Sequence, residues 1–454
     1  MSPDALGILL VVCYTIFFGV LNASAISVVL PDIASELDIE FSQASWIMTG
    51  FLLVYGVAIP FYGRLADIYG ARPLFILGAA LFALGSLLSA IAPDFYTLLG
   101  ARIIQGAGGA AAPGLGMTLS SRAYGPASRG TVLGVIGATI GIGAAIGPLL
   151  GGALSSLWGW ESIFVLNAAV AFSIPFALKV LPREEASSSG GLDIVGGALL
   201  ALAVVGILLA PTEGSRSGWT SIGVIAGVSL AIVSLLLLAW RERVAVAPFI
   251  PRELLRNGRF VAYGAMSFLV MAANIGVLIG LPVMLAVLNG LDAIEVGVVL
   301  VPGAVLTAIT GLMAGRLVDR VGARLLAYAG GAAMIVALLG LSSVSGDSPW
   351  QISVFAGFLG AGFGLVNTPL ATAVTRAVSP SLMATGVGVN SMLFFIGGGV
   401  GASVLLGISA IGQDSSLNPI HDQAGNGFSD GFLFLAVLIA AVLVLAIKPS
   451  RARS

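Results

Sequence analysis

The sequence predicts an all-α integral membrane protein of 14 transmembrane helices: two six-helix bundles, a two-helix insert, and an alternating-access fold. Three observations predict this. Charged residues are 9% of the 454 and apolar residues 58%, with a mean hydropathy of +1.07, whereas an ordinary soluble domain is about 25% charged. Fourteen apolar runs reach the ~20 residues that a membrane helix needs. One ten-residue motif occurs twice, 252 positions apart.

The runs lie at 6–30, 43–62, 73–92, 95–119, 130–155, 160–181, 192–211, 219–240, 260–288, 294–314, 324–344, 350–375, 382–411 and 430–447. Turn residues and nearly all charges fall between them. The first run lacks a basic leader and is too long for the apolar core of a signal peptide, so it reads as a retained helix. The 62 glycines have no Gly-X-Y period; they suit closely packed membrane helices, where small residues let backbones approach.

An even helix count puts both termini on one side. With that side cytoplasmic, inner segments hold 18 of the 20 Lys and Arg, as the positive-inside bias requires. Arg216 alone is outside, and Arg102 lies within the fourth run. The expected location is the plasma (inner) membrane, multi-pass. The longest inner polar stretches, 182–191 and 241–259, divide the runs into six, two and six. The expected domains are 1–182, an insert at 183–258, and 259–454.

The duplicated motif is Gly63-Arg-Leu-Ala-Asp67-Ile-Tyr-Gly70-Ala-Arg72 and Gly315-Arg-Leu-Val-Asp319-Arg-Val-Gly322-Ala-Arg324, identical at 7 of 10 positions. Each copy follows the second helix of its six-helix group. Two parallel repeats with a site between them describe alternating access. The glycines permit a tight turn; Asp67 and Asp319 can cap a helix start or pair with Arg72 and Arg324.

Composition excludes several functions. A net charge of −1 gives no field for nucleic acid. Cys13 and His421 are each the single residue of their kind, so disulfide frameworks, zinc, haem and Ser-His-Asp chemistry lack their groups. Neither an enzyme nor a cofactor is expected. The expected partners are a small-molecule substrate and the lipid bilayer, with protons as a candidate, and the chain is expected to be a monomer. A sensor would need a sizeable soluble domain or tail, and a channel would need repeated filter elements.

Three further motifs carry chemistry. Arg102-Ile-Ile-Gln105-Gly-Ala-Gly-Gly places a charge in a membrane run, which is costly and therefore a functional candidate; the bland alternative is a structural arginine bonded to carbonyls and amides. Gly143-Ala-Ala-Ile-Gly147-Pro148-Leu-Leu-Gly151-Gly152 presents a smooth helix face with a proline bend. Leu30-Pro31-Asp32-Ile33 closes the first helix, and Trp46 opens the second.

On these motifs the chain resembles the major facilitator superfamily over essentially its full length. Its six-two-six layout is similar to the fourteen-helix drug:proton antiporters, which include tetracycline and multidrug exporters. The resemblance implies that Asp67, Arg72, Asp319 and Arg324 latch an inner gate, that Arg102 serves proton coupling, and that the Gly143–Gly152 segment is the antiporter motif of exporters. Many members carry a membrane carboxylate on helix 1, 5 or 13. Here those places read Leu21-Asn22-Ala23-Ser24, Ala144-Ala145 and Phe394-Phe395-Ile396, and Glu161 stands where relatives often have arginine.

None of the 21 acids falls in mid-membrane in this reading. A proton carrier would then be a boundary acid, Asp32 first, or the protein is an uncoupled facilitator. A nutrient importer of the same fold is the other alternative. Arg102 favours neutral or anionic substrates over cations. The expected polar lining is Asn22, Arg102, Gln105, Asn274, Asn367 and Asn390, although for each asparagine alone an interhelical bond is the commoner role. Phe394 and Phe395 are candidate apolar lining. The polar outer segment 412–429, with His421, has no assigned role.

Overall fold

The computed structural model describes residues 3–124, 128–183, 191–291, 293–411, 418 and 425–447. Among these it is all-helical. The helices are α1 (Pro3–Glu36), α2 (Phe41–Tyr69), α3 (Ala71–Ala90), α4 (Phe95–Gly109), α5 (Ala111–Tyr124), α6 (Arg129–Trp158), α7 (Glu161–Ala168), α8 (Ser173–Val180), α9 (Ile194–Ser217), α10 (Ile222–Val244) and α11 (Arg252–Arg256). They continue as α12 (Gly258–Asn289), α13 (Ala293–Val321), α14 (Ala323–Ser343), α15 (Pro349–Ala377), α16 (Met383–Ile411) and α17 (Asn426–Ile447). The segment 412–429 with His421 lies largely outside the described residues, as do Glu184, Glu185, Asp292, Asp414, Asp422, Lys448, Arg451 and Arg453.

Among the described residues twelve helical spans are long and apolar enough to cross a membrane, one of them Glu161–Val180, in which a 3-10 turn at Ala169–Phe172 joins α7 to α8; the sequence has fourteen apolar runs. The fourth run is two shorter helices, α4 and α5, which meet at Ala110. Pro113 has no N–H to bond the Gly109 carbonyl four residues back, and Gly106, Gly108 and Gly109 give that turn little helix preference. The last run contributes only a shorter apolar stretch, Asn426–Ala441.

Helix ends also differ from the runs. α1 continues through Pro31 to Glu36, so Asp32 lies within the helix rather than at its close. α2 begins at Phe41, five residues before Trp46. Asp430 lies within α17 and is buried.

Local chemistry sets several termini. Asp94 caps α4, accepting from the N–H groups of Tyr96 and Thr97, with the Thr97 hydroxyl completing a capping box. Asn257 caps α12 in the same way through Arg259 and Phe260. Both motif copies turn on a left-handed glycine: Gly70 (φ +88°) between α2 and α3, and Gly322 (φ +82°) between α13 and α14. A side chain at either position would be strained.

The chain forms two compact units. The first comprises Met1–Gly197, Val246–Ile250 and Val378–Met392; the second comprises Ala198–Ala245, Pro251–Ala377 and Leu393–Ser454. In the second, α12, α13, α14, α15 and α17 share one apolar core that includes Ala273, Leu338, Ala356 and Leu359. In the first, Leu21, Ala25, Ile47, Leu98, Trp160 and Phe164 form one cluster, and Phe18, Phe51, Ala79, Phe82 and Val170 another.

Candidate functional site: a buried polar core in the first unit

Between its two apolar clusters the first unit buries Asn22 (α1), Ser86 (α3), Arg102 and Gln105 (α4) and Asn167 (α7), each at 0% exposure. Arg102 and Gln105 are three residues apart and share one face of α4. The Arg102 guanidinium donates through Nη1 to Gln105 Oε1 and, at 3.2 Å, to Asn22 Oδ1; Nε donates to the Ile47 carbonyl of α2 at 3.2 Å. Gln105 Nε2 donates to Ser86 Oγ (2.7 Å) and to Asn22 Oδ1 (3.2 Å), and Asn167 Nδ2 also reaches Asn22 Oδ1 at 3.2 Å. Phe51 lies 4.2 Å from the guanidinium carbon and Phe164 5.7 Å, so two ring faces flank the cation.

None of the partners of Arg102 is a carboxylate. Burying an unpaired guanidinium costs several kcal/mol, and here amide oxygens, one backbone carbonyl and two aromatic rings offset that cost. Three buried atoms of the cluster have no partner among the described residues: Arg102 Nη2, Asn22 Nδ2 and Asn167 Oδ1.

The structure thus brings together Asn22, Arg102 and Gln105 of the expected lining. It does not bring in the rest. Asn274 (α12) and Asn367 (α15) are half-buried in the second unit, and Asn390 is half-buried in the 378–392 segment; no bond of the cluster reaches them. Phe394 packs against the apolar core of the second unit, edge-on to Phe395 at 5.7 Å. Sequence reasoning missed Ser86, Asn167, Phe51 and Phe164. Asn167 carried a signal, because it is the only side-chain amide in its apolar run.

The Gly143–Gly152 segment lies in α6 and packs on α1. A Cβ on Gly143 would meet Phe17 O at 3.1 Å, one on Gly147 would meet Ser24 Oγ and Leu21 O, and one on Gly151 would meet Ala25 O at 2.8 Å. Gly152 faces open space and is not part of this seam. Pro148 sits inside α6 without ending it. Ser24 bonds the Gly143 carbonyl at 3.3 Å. At the far end of the seam Asp32 accepts from Ser155 Oγ (2.8 Å), and Glu36 accepts from Trp160 Nε1 (2.9 Å).

Of the two roles expected for the motif aspartates, Asp67 takes the helix cap, and neither pairs with the arginine of its own motif. Asp67 is fully buried and caps the start of α16, accepting from the N–H groups of Ala384 (3.2 Å) and Thr385 (2.8 Å), with Arg122 of α5 at 3.9 Å. Gly63 lies against the Ala384 carbonyl, where a Cβ would not fit. Asp319 pairs with Arg376 of α15 at 2.5 Å. Arg72 instead donates to the Leu178 carbonyl, and Arg324 lies against Tyr328. The aspartates choose Arg122 and Arg376 because those residues face them from a packed helix, whereas Arg72 and Arg324 lie beyond the turn. Gly315 is buried on α13.

The family model of the Major Facilitator Superfamily matches residues 12–195 and 191–402, most of the chain. The chain belongs to the major facilitator superfamily. It is therefore a membrane transporter. It is 30% identical over 411 residues to "Multidrug resistance protein Stp" of Mycobacterium tuberculosis (strain CDC 1551 / Oshkosh), covering 90% of this chain and 76% of the relative. It is 30% identical to "Cephamycin export protein CmcT" of Amycolatopsis lactamdurans, covering 98% and 93%. "Riboflavin transporter RibZ" of Clostridioides difficile (strain 630) is 29% identical over 82% and 81% of the two chains. Among solved structures, that of "the human organic anion transporter MFSD10 (TETRAN)" superposes with a TM-score of 0.69, covering 98% of this chain and 100% of that one at 16% identity; this likeness concerns the fold alone.

Proposed function

We propose that this transporter exports small amphipathic compounds, neutral or anionic, by alternating access. The observation that carries the proposal is the α1–α6 seam. Gly143, Gly147 and Gly151 lie against the backbone of Phe17, Leu21 and Ala25, which is the close packing the exporter motif calls for. The relatives named for multidrug resistance and cephamycin export point the same way. The substrate charge follows from Arg102, a buried cation with no carboxylate among its partners.

The topology belongs to the same proposal. α4 and α5 together make one crossing and α17 another, for fourteen in all, with both termini cytoplasmic. Residues 1–182 and 259–454 are the rocking bundles, and 183–258 is an insert. Asp67, with Gly63 and Gly70, holds the inner gate shut by capping α16, and Asp319, Arg72 and Arg324 brace their turns. Any coupled proton is carried by Asp32, whose carboxylate ends the seam on Ser155. The transporter acts as a monomer.

Transport in proteoliposomes tests this, with tetracycline, cationic dyes and neutral amphiphiles, with and without an imposed pH gradient. The expected result is uphill movement of neutral and anionic compounds that a protonophore abolishes and Asp32→Asn uncouples. Downhill movement indifferent to the gradient makes the protein a facilitator. Equal transport of cationic and neutral analogues contradicts the assigned substrate charge.

A further inference from the structure

We propose that the Arg102 cluster is a binding site for one small monovalent anion, a halide or a carboxylate group, which supplies the negative charge the helices lack. Three observations carry it. Arg102 is buried at 0% exposure, and its partners are Gln105 Oε1, Asn22 Oδ1 and the Ile47 carbonyl, with no carboxylate. Two hydrogen-bond donors in the cluster have no acceptor, Arg102 Nη2 and Asn22 Nδ2. They belong to side chains already bonded to each other, Arg102 Nη1 to Asn22 Oδ1.

The orientation of Asn22 is fixed. Its Oδ1 accepts from Arg102, Gln105 and Asn167, and exchanging oxygen for nitrogen would set three donors against a fourth. Asn22 Nδ2, on the same amide as the oxygen Arg102 holds, therefore keeps its hydrogens unspent. Two free donors, one of them cationic, in a site closed to water call for an acceptor of negative charge. A water would satisfy the hydrogen bonds but leave the charge. Asn167 Oδ1, the third unpartnered atom, is an acceptor and takes no part in holding an anion. The residue best placed to replace the anion is Asn22: as aspartate it would put a carboxylate oxygen 3.2 Å from Arg102 Nη1.

This deepens the proposed transport site. Its readout is binding in detergent, so failure to transport the panel above leaves it standing. The experiment follows the unfolding temperature of the purified full chain at constant ionic strength in chloride, in acetate, and in methanesulfonate as the bulky reference anion, with saturable binding of radiolabelled chloride measured alongside. The expected result is a rise of about 3 °C or more over methanesulfonate, saturating with concentration. A rise in chloride but not acetate identifies an inorganic ion; a rise in acetate alone identifies the carboxylate of an organic substrate. Asn22→Asp is expected to unfold at one temperature in all three. Wild-type protein that unfolds identically in the three anions and shows no saturable chloride binding overturns the proposal. So does an Asn22→Asp variant that folds and keeps the full anion response.

Discussion

The two sequence repeats build the same helices around opposite interiors. α2 and α13 begin and end 252 residues apart, as do the turns at Gly70 and Gly322. Backbone contacts extend the correspondence. Gly106 lies on Phe51 O as Gly360 lies on Gly303 O, and Gly108 on Gly78 O as Gly362 on Gly330 O, so α4 and α15 correspond with an offset of 254. The ion pairs agree, since Arg122 and Arg376, the partners of Asp67 and Asp319, are also 254 apart. Gly143 and Gly147 lie on Phe17 O and Leu21 O as Gly397 and Gly401 lie on Phe268 O and Ala272 O, so α1 and α12 correspond with an offset of 251.

With these registers, Asn22, Ser86, Arg102 and Gln105 correspond to Ala273, Leu338, Ala356 and Leu359. All four of the latter lie in the apolar core of the second unit. The same fold closes around alanine and leucine where the first repeat buries a cation and three polar groups. Packing alone therefore does not require the polar core; an apolar replacement for a buried ionic group is commonly neutral or stabilising.

The largest effect is expected from moving the charge into the wrong repeat. Ala356→Arg places a guanidinium among Ala273, Leu338 and Leu359, none of which can accept a hydrogen bond. A cost above about 4 kcal/mol is expected, read as loss of folded, monodisperse protein in detergent. Normal yield and unfolding temperature would show that the second interior tolerates charge and that the contrast is accidental.

The glycine seams sharpen the comparison further. Gly151→Ala would drive a methyl into the Ala25 backbone, at a cost of about 1–3 kcal/mol, whereas Gly152→Ala meets nothing within 4 Å and should stay within about 0.5 kcal/mol of wild type. Thermal unfolding of the two variants side by side decides this; equal losses would move the seam to another face of α6.

The duplicated aspartates differ by burial. Asp67→Ala removes two capping bonds from α16 and leaves Ala384 and Thr385 N–H groups unmet, at about 1–3 kcal/mol. Asp319→Ala breaks a pair whose arginine is 41% exposed, worth less than about 1 kcal/mol. Denaturant midpoints of the two variants measure the difference, and a larger loss at Asp319 would reverse the order.

Much of the architecture is legible in the sequence because its signals are local. Apolar run length marks nearly every crossing, and glycine punctuates the turn at 70 and again at 322. The fourth run defeats that reading, since Pro113 and its upstream glycines split a helix that hydropathy sees as continuous. Arg102 and Gln105 stand out because a charge in a membrane run is rare and the helix puts both on one face. Asn167 and Ser86 join them through three-dimensional packing that spacing along the chain does not encode. The partner of Asp67 is hidden for the same reason: it is the backbone of Ala384 and Thr385, more than 300 residues away, and a backbone N–H leaves no mark in a sequence.

Giving the first repeat the residues of the second separates a role of the polar core in transport from one in folding. A chain carrying Asn22→Ala, Ser86→Leu, Arg102→Ala and Gln105→Leu would be reconstituted beside wild type, and its unfolding temperature and uptake of a transported compound measured together. The expected result is an unfolding temperature within a few degrees of wild type and transport reduced at least about tenfold. A chain that no longer folds would show the polar core to be structural, and one that folds and transports at the wild-type rate would show it to be dispensable; either result would rule out a polar core kept for transport.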